Sequence, residues 1–540
     1  MANIKFDRKE VEKHIKLDDK TIERINMFGV PASVSATELE IEVFPNRPDL
    51  ISLPGFIRAI KSFLGKETGL KKYRVNAPEK DYKVKIESSV KEVRPYTACA
   101  IVKNLNFDDV SIKDIINVQE KLHSTLGRNR KKIAIGIYPF DKIKLPIKYE
   151  ARKPDDIKFI PLDMDRELTG REILIKNSTG REYASLLESA SKYPVFSDSS
   201  GKILSMPPII NSHETGKITS DTKEVFVECS GFDFSALKKT LNIIVTALAD
   251  LGGKIYGVEL DYGKKEITPD LSPAKMKIDL ENVNTTLGLD LKEKDLEKLL
   301  SRMGYDYKSG RVSVPAWRTD ILHEVDLIED VAIAYGYENL EPEIPKVATI
   351  GEESKESKLR GKVTELLNGL GLMEISSFHF IKQDEAKRIK FEKHLEVENS
   401  KTDYKILRPN LLISALRILG ENTDNEYPQN IFEIGRVFSL DHKAESGIGE
   451  REHLFVALTP GNFTELKRIL DYLMKMLGLE YQFHESEIKE LIHGRTGKIA
   501  FDGKEIGHIG EVHPDVLGEW HIKLPVSVLE IDLEEIFARI

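Results

Sequence analysis

The sequence predicts a multidomain α+β protein. It divides into an N-terminal domain (1–80), a mixed α/β region (81–265), a small α/β domain (266–342) and a C-terminal domain around an antiparallel sheet (343–540). Three observations predict this. The chain has 540 residues, a length that fits about three to five domains. Strand and helix patterns are mixed but do not alternate as βαβ units, which points to α+β architecture at the C-terminal end. The segment "LEPEIPK" (340–346) holds two prolines that stop both helix and sheet, so it reads as a linker.

The elements follow in order. A charged helical pattern opens the chain. The alternating strand "TELEIEVF" (37–44) then runs into "PNRPDL" (45–50). There Pro45 and Pro48 bracket a turn, to which Asn46 and Asp49 supply side-chain hydrogen bonds. Arg47 reads as held by Asp49 and local carbonyls, the other reading being a contact with nucleic acid or a partner subunit. A helical pattern continues through "GFIRAIKSFLG" (55–65). Strands of the second region include "DYKVKIES", "YTACAIVKNL", "KIAIGIYPF" and "EVFVECSGF". After Asp233, a suitable N-cap, Leu237, Leu241, Ile244, Leu248 and Leu251 keep a helical apolar stripe. Gly252 and Gly253 end it, and "KIYGVEL" is a strand. The small domain reads as strand "KMKIDLE", helix "KEKDLEKLLSRMG" and strand "RVSVPAW". The last domain starts with the amphipathic helix "ESKLRGKVTELLNGLG" and continues in strands. Among these, "FDGKEIG" carries the Asp502-Gly503 hairpin signal.

Composition excludes several classes. Charged residues make up 31% of the chain and the formal net charge is −9. That argues against a protein that grips nucleic acid alone over a broad basic face, while leaving room for nucleic acid supported by a partner. Only Cys99 and Cys229 occur, too few for a disulfide framework or a zinc site, and a reducing cytosol is the simplest reading. The opening "MANIKFDRKEVEKHIK" lacks the apolar core of a signal peptide. No apolar run approaches a membrane span, so a cytoplasmic protein is expected.

The stretch "VPAWRTDILHEVDLIEDVAIAYGY" (314–337) crowds Asp320, Asp326, Glu329 and Asp330 together. At roughly 100° per residue, Asp326, Glu329 and Asp330 share one arc of a helix, opposite Leu327, Ile328, Val331 and Ala334. One reading is a solvated face at a helix N-terminus, where acids suit the macrodipole. Against it, Asp326 and Asp330 form a like-charge i,i+4 pair. The other reading is a set of oxygen ligands for a hard cation such as Mg²⁺. Four carboxylates over-neutralise such an ion, so a cationic neighbour is also expected, and Arg318 or a partner chain could supply it.

This stretch closely resembles the magnesium-binding segment of phenylalanyl-tRNA synthetase β subunits. "EVFPNRPDLISLPGFIRAI" resembles their N-terminal motif, and "LSMPPIINS" their editing domain. "LRPNLLISAL", "IFEIGRVF" and "IGHIGEVHPDVL" resemble their C-terminal domain. The resemblance implies a B3/B4-like editing domain, a B5-like domain and a class II synthetase-like C-terminal domain. The chain ends just after "EIDLEEIF" and has no room for the extra tRNA-binding and anticodon-binding modules of bacterial members, so it resembles the shorter archaeal type. The resemblance further implies Asp320, Asp326, Glu329 and Asp330 as ligands of a magnesium ion shared with an α subunit. It implies an α₂β₂ assembly that uses ATP to join phenylalanine to tRNA(Phe). Asp330 stands where bacterial members commonly have Glu, so its shorter arm could reach the ion through water.

The chemistry is expected to be divided. Adenylate formation in a class II synthetase needs a cationic clamp on ATP. "LRPNLL" offers Arg408 without an acidic residue two positions on. "SGIGEREH" (446–453) leads into a strand and reads as a hairpin-like loop. Activation therefore falls to the α subunit, against which the C-terminal domain would pack. Proofreading is the second chemistry, because a hydrophobic pocket rejects an added hydroxyl poorly. "LSMPPIINSHE" and "FVECSGFD" are the candidate walls of a pocket for tyrosyl-tRNA(Phe). In it Glu228 would accept the phenol proton, and Ser205, Asn211 and Ser230 would position water or the ester carbonyl. Two other readings are a non-catalytic tRNA-binding or assembly protein, and a free-standing editing hydrolase.

Overall fold

A computed structural model describes residues 2–345, 347, 350–389 and 394–539. The chain forms two compact units, Met1–Ile344 and Pro345–Ile540. Of the expected linker, 340–345 carry neither helix nor strand, and Lys346 lies outside the described residues.

The first unit begins with a strand, Ala2–Asp7, where a helical pattern was expected. Ala2, Ile4 and Phe6 point inward and alternate with exposed Asn3, Lys5 and Asp7, the two-residue period of a strand. Its partner Glu38–Val43 lies antiparallel to it and to Ala32–Val34. Helices start only at Arg8 and Asp19. In the turn that follows, Arg47 Nε and Nη2 donate to the two oxygens of Asp49, both at 2.9 Å, so the turn closes on its own ion pair.

An eleven-stranded sheet forms the centre. Val225–Gly231 lies between Tyr96–Lys103 and Ile133–Pro139, antiparallel to both, and Tyr96–Lys103 also pairs with Lys254–Asp261. All seven residues of Val225–Gly231 are buried, as expected of a strand covered on both faces. Helix Phe234–Asp250 starts where Asp233 accepts the backbone N–H groups of Ser235 and Ala236. Strands Ile147–Arg152, Tyr193–Ser197 and Ile203–Met206, and helix Asp109–Ser124, had no clear signature in the sequence.

The small domain is a three-stranded sheet, Ala274–Lys277, Arg311–Val314 and Asp306–Lys308. Helices Leu280–Leu287, Glu293–Arg302 and Glu324–Tyr335 accompany it. It does not keep a separate core. Leu296, Leu300, Leu327 and Val331 share one buried cluster with Ile4, Phe56, Ile60, Leu241 and Ile244. Segments on both sides of positions 80 and 265 also join one sheet, since Val75–Asn76 and Lys265–Thr268 both pair with Lys254–Asp261. The three expected N-terminal domains thus lie within one compact unit and share a buried cluster.

The second unit holds a seven-stranded sheet. Its long hairpin pairs Gln429–Leu440 with Ile448–Thr459, so most of "SGIGEREH" is strand. Asp502 (φ 51°) and Gly503 (φ 75°) make the two-residue turn that the sequence signals. Leu359, Val363, Leu466 and Leu470 of two helices share its core with Phe432, Val456 and Leu529 of the sheet. Arg408 is fully buried and donates to Glu433 Oε1 (2.8 Å) and the Arg436 carbonyl (2.7 Å).

Candidate functional site

The acidic stretch resolves into three environments. Asp326 Oδ2 accepts the backbone N–H groups of Leu322 and His323, both at 2.7 Å, and so caps the helix that starts at Glu324. Asp320 and Asp330 share one buried cation. Arg318 Nε and Nη2 donate to Asp320 at 2.8 and 2.7 Å, and Nη2 also donates to Asp330 at 2.8 Å. The Tyr305 hydroxyl donates to the same Asp330 oxygen, and its ring lies 5.4 Å from the guanidinium. Burial alone would lower the Arg318 pKa, yet Asp330, Tyr305 and Asp320 raise it well above its ordinary value. Glu329 is exposed.

The four acids expected as joint ligands of one ion stand in separate environments in this chain on its own. Among the described residues no three His, Cys, Asp or Glu side chains gather as a metal site. The helical arc was read correctly, but it straddles the edge of the core: Asp330 falls inside it and Glu329 outside. Arg318, offered by the sequence as a cationic neighbour, is the counter-ion itself. As they stand, Asp320 and Asp330 are turned to Arg318 and Asp326 to the helix start, while Glu329 faces outward, and no step below runs through a metal. Chelation with EDTA is expected to leave the unfolding temperature of the isolated chain unchanged. A fall that Mg²⁺ restores is the contrary result.

A cavity of about 350 Å³ opens beside strand Val225–Gly231. The Pro207–Asn211 turn, helix Asp109–Ser124 and helix Ser178–Glu182 wall it. Glu228 lines it and is 1% exposed. A Cβ on Gly136, its cross-strand partner, would come within 2.7 Å of Glu228 Oε1, so the close approach needs glycine there. Tyr138 Oη stands 3.2 Å from Glu228 Oε1, 2.8 Å from Ser205 Oγ and 3.5 Å from Asn211 Oδ1. Glu228 Oε2 is buried and has no hydrogen-bond partner among the described residues. Burial pushes the Glu228 pKa up to about 8, and the Tyr138 bond, the Arg94 charge and the nearby Ser230 hydroxyl oppose it only in part. The carboxyl is therefore mostly neutral at pH 7.

That proton has a thermodynamic signature. The folded value of about 8 lies above the ordinary 4.5, so this group's stabilising contribution is complete below about pH 4.5. It declines by about 1.4 kcal/mol per pH unit as pH rises towards 8 and is then gone. Glu228→Gln is neutral throughout. Its unfolding temperature relative to the wild type should therefore rise steadily between about pH 5 and 8, and a constant difference would contradict a neutral Glu228.

Asn211 and Glu228 line the cavity; Ser205 and Ser230 lie behind it. The Tyr138 hydroxyl faces Ser205. Ser230 points to the same side of the strand as Glu228, but Arg94 engages its hydroxyl (3.2 Å) and its carbonyl (2.7 Å). Pro207 and Pro208 form part of the wall. Sequence reasoning missed Glu120, His123 and Arg130. His123 Nε2 accepts the Ile135 N–H at 2.8 Å, which leaves the proton of its neutral ring on Nδ1, 3.3 Å from Glu120. Burial keeps the His123 pKa low. Burial pushes Glu120 up, but the His123 bond and the Arg130 charge bring it down to about 2. Arg130 Nη2 holds both Glu120 oxygens at 3.0 and 3.1 Å, and Nη1 holds the Ile209 carbonyl at 2.7 Å. The one signal for them was the basic run "GRNRKK" (127–132).

Three family models match the chain in order: the "B3/4 domain" over residues 81–244, the "tRNA synthetase B5 domain" over 276–337, and the "Phenylalanyl tRNA synthetase beta chain CLM domain" over 340–533. The chain is 42% identical over 503 residues to the phenylalanine–tRNA ligase beta subunit of Pyrococcus abyssi, covering 91% of this chain and 90% of that one. It is 38% identical over 544 residues to the Archaeoglobus fulgidus beta subunit, covering 98% and 97%. Among solved structures, an N-terminal fragment of the phenylalanyl-tRNA synthetase beta-subunit from Pyrococcus horikoshii matches with a TM-score of 0.59 at 37% identity. It covers 62% of this chain and 100% of the fragment. The Glu228 cavity lies within the first matched region and the acidic helix within the second.

Proposed function

This chain belongs to the phenylalanine–tRNA ligase beta-subunit family and is an aminoacyl-tRNA ligase subunit; on that premise we propose that its Glu228 cavity hydrolyses tyrosine wrongly esterified to tRNA(Phe). Tyrosine is phenylalanine with one added hydroxyl, which an apolar synthetic pocket rejects poorly. A proofreading pocket has to recognise that hydroxyl. The observation that carries the reading is the buried Glu228 carboxyl with an unpartnered Oε2. Being neutral, it can donate to a phenol oxygen and accept a phenol proton. A phenylalanyl group would leave it unpaired, a loss of about 1–3 kcal/mol.

The other groups follow by chemistry. Glu120, ionised at the cavity, can hold the α-ammonium of the aminoacyl group. The Asn211 carboxamide can orient water or the ester carbonyl. Among the described residues no serine or cysteine lines the cavity, and the lining Thr179 hydroxyl is hydrogen-bonded to no base, so the reading is direct attack by water. The water oxygen bonds to the carbonyl carbon, the bond to the ribose oxygen breaks, and the proton passes to that oxygen.

Phenylalanine activation, with ATP as substrate, is assigned to an α subunit in an α₂β₂ assembly with tRNA(Phe). Arg408 supports this division, because its guanidinium is locked to Glu433 and is not free to clamp phosphates. A magnesium ion shared with α through Asp320, Asp326, Glu329 and Asp330 would need Asp320 and Asp330 to turn from Arg318. The assembled enzyme is expected to release tyrosine from tyrosyl-tRNA(Phe) much faster than phenylalanine from phenylalanyl-tRNA(Phe). Equal rates would end the reading.

A further inference from the structure

A second hollow, of about 850 Å³, lies on the other side of the 124–132 turn from the Glu228 cavity. Arg128, Lys132, Phe232 and Lys239 line it. We propose that it holds the single-stranded 3′ end of tRNA, immediately upstream of the esterified nucleotide, and so directs the ester into the Glu228 cavity. This rests on the proofreading reading above.

Charge is the first argument. Arg128 and Lys132 are exposed, and among the described residues neither they, Lys131 nor Lys239 form an ion pair, whereas Arg47, Arg58, Arg130 and Arg318 do. On a chain of net charge −9, such an unneutralised patch attracts a polyanion locally. The two acids at the hollow are already engaged: Asp233 caps a helix and Asp320 pairs with Arg318. The second argument is an aromatic platform. Phe232 is 53% exposed, and the buried Arg94 guanidinium lies 5.4 Å from its ring. An open ring beside free cations is the pairing that single-stranded nucleic acid uses, with bases stacking and phosphates following the charge.

The backbone gives the third argument. Arg128, Asn129 and Arg130 have φ of 48°, 53° and 64° in succession, a left-handed run that L residues hold only when the surroundings impose it. Here Lys132 N–H donates to the Gly127 carbonyl (2.8 Å) and Arg130 N–H to the His123 carbonyl (3.1 Å), and Arg94 reaches the Arg130 carbonyl (3.4 Å). One rigid turn thus sends Arg130 into the cavity and Arg128 and Lys132 into the hollow. Glu228 and Gly231, three residues apart on one strand, are separated by about 10 Å, and Phe232 follows directly, a distance that a short single strand spans.

The test is binding of a 5′-labelled single-stranded oligoribonucleotide, with the 3′-terminal sequence of tRNA(Phe), to the full chain by fluorescence anisotropy. Phe232→Ala is expected to raise Kd about tenfold, and Phe232→Tyr, which keeps the ring, to restore binding. Arg128→Ala combined with Lys132→Ala should weaken binding and flatten the dependence of log Kd on log salt by about 0.7 per cation removed. The two variants lie in separate segments, so a folding defect in one leaves the other informative. Wild-type Kd and salt slope in both would overturn the proposal, as would failure of Phe232→Tyr to restore binding. Hydrolysis of tyrosyl-tRNA(Phe) by the assembly is measured in parallel. Absent hydrolysis with ring-dependent binding sinks the proofreading reading alone, and intact hydrolysis with unaltered binding sinks the hollow alone.

Discussion

Replacing Arg318 by alanine is expected to destabilise the Met1–Ile344 unit by about 3–5 kcal/mol, the range for stripping one partner from a buried ion pair. The loss should show in urea unfolding as a lower midpoint with an unchanged slope. The reason is geometric. Asp320 and Asp330 receive three charge-assisted hydrogen bonds from this one guanidinium, and Asp330 is 5% exposed. Without Arg318 the buried Asp330 carboxylate is left with only the Tyr305 hydroxyl, and Asp320 beside it loses its paired cation. Adding Asp330→Asn to Arg318→Ala should recover part of the loss, because it removes the stranded charge. Glu329→Gln, on the exposed side of the same helix, should change stability by less than about 0.5 kcal/mol. A metal-centred cluster predicts the opposite order: a small effect at Arg318, and large magnesium-dependent effects at Asp326 and Glu329.

Glu228→Ala is expected to lower kcat/KM for tyrosyl-tRNA(Phe) hydrolysis by about 10- to 100-fold, with little change for phenylalanyl-tRNA(Phe). The factor corresponds to losing one good hydrogen bond to a buried polar group, about 1.4–2.8 kcal/mol. Glu228→Gln should fall between wild type and alanine, since an amide can still donate to and accept from a phenol, though not with a carboxyl's geometry. The effect should appear as lost discrimination between the two esters, because the carboxyl contacts the hydroxyl that distinguishes them and not the ester.

The sequence made local structure legible wherever one period dominated. Asp233 with its leucine stripe became a capped helix, and Asp502-Gly503 became a two-residue turn. Arg47 closed on Asp49 as its spacing suggested. The opening strand was missed because polar and charged residues occupy its outward positions and so mask the inward Ala2, Ile4 and Phe6. Long-range information was illegible for a different reason. A helical wheel gives the direction of Asp330 but not what lies there, and its partners Tyr305 and Arg318 come from other segments. In the same way Glu228 and Asn211 were found through the motifs that hold them. Ser205 and Ser230 were displaced from the cavity by Tyr138 and Arg94, residues that no local pattern connects to them. Glu120 and His123 sit on a helix whose apolar stripe is weak, and their alignment depends on Arg130 and the Ile135 N–H.

A buried, neutral Glu228 is proposed to read the phenol, and the pH dependence of discrimination tests that role most directly. The ratio of kcat/KM for tyrosyl- over phenylalanyl-tRNA(Phe) should hold steady at low pH in the assembled enzyme and decline through about pH 8, as the carboxyl loses its proton. In Glu228→Gln the ratio should be smaller and flat. A wild-type ratio that stays constant well above pH 8, or a glutamine variant that reproduces the wild-type curve, would contradict it.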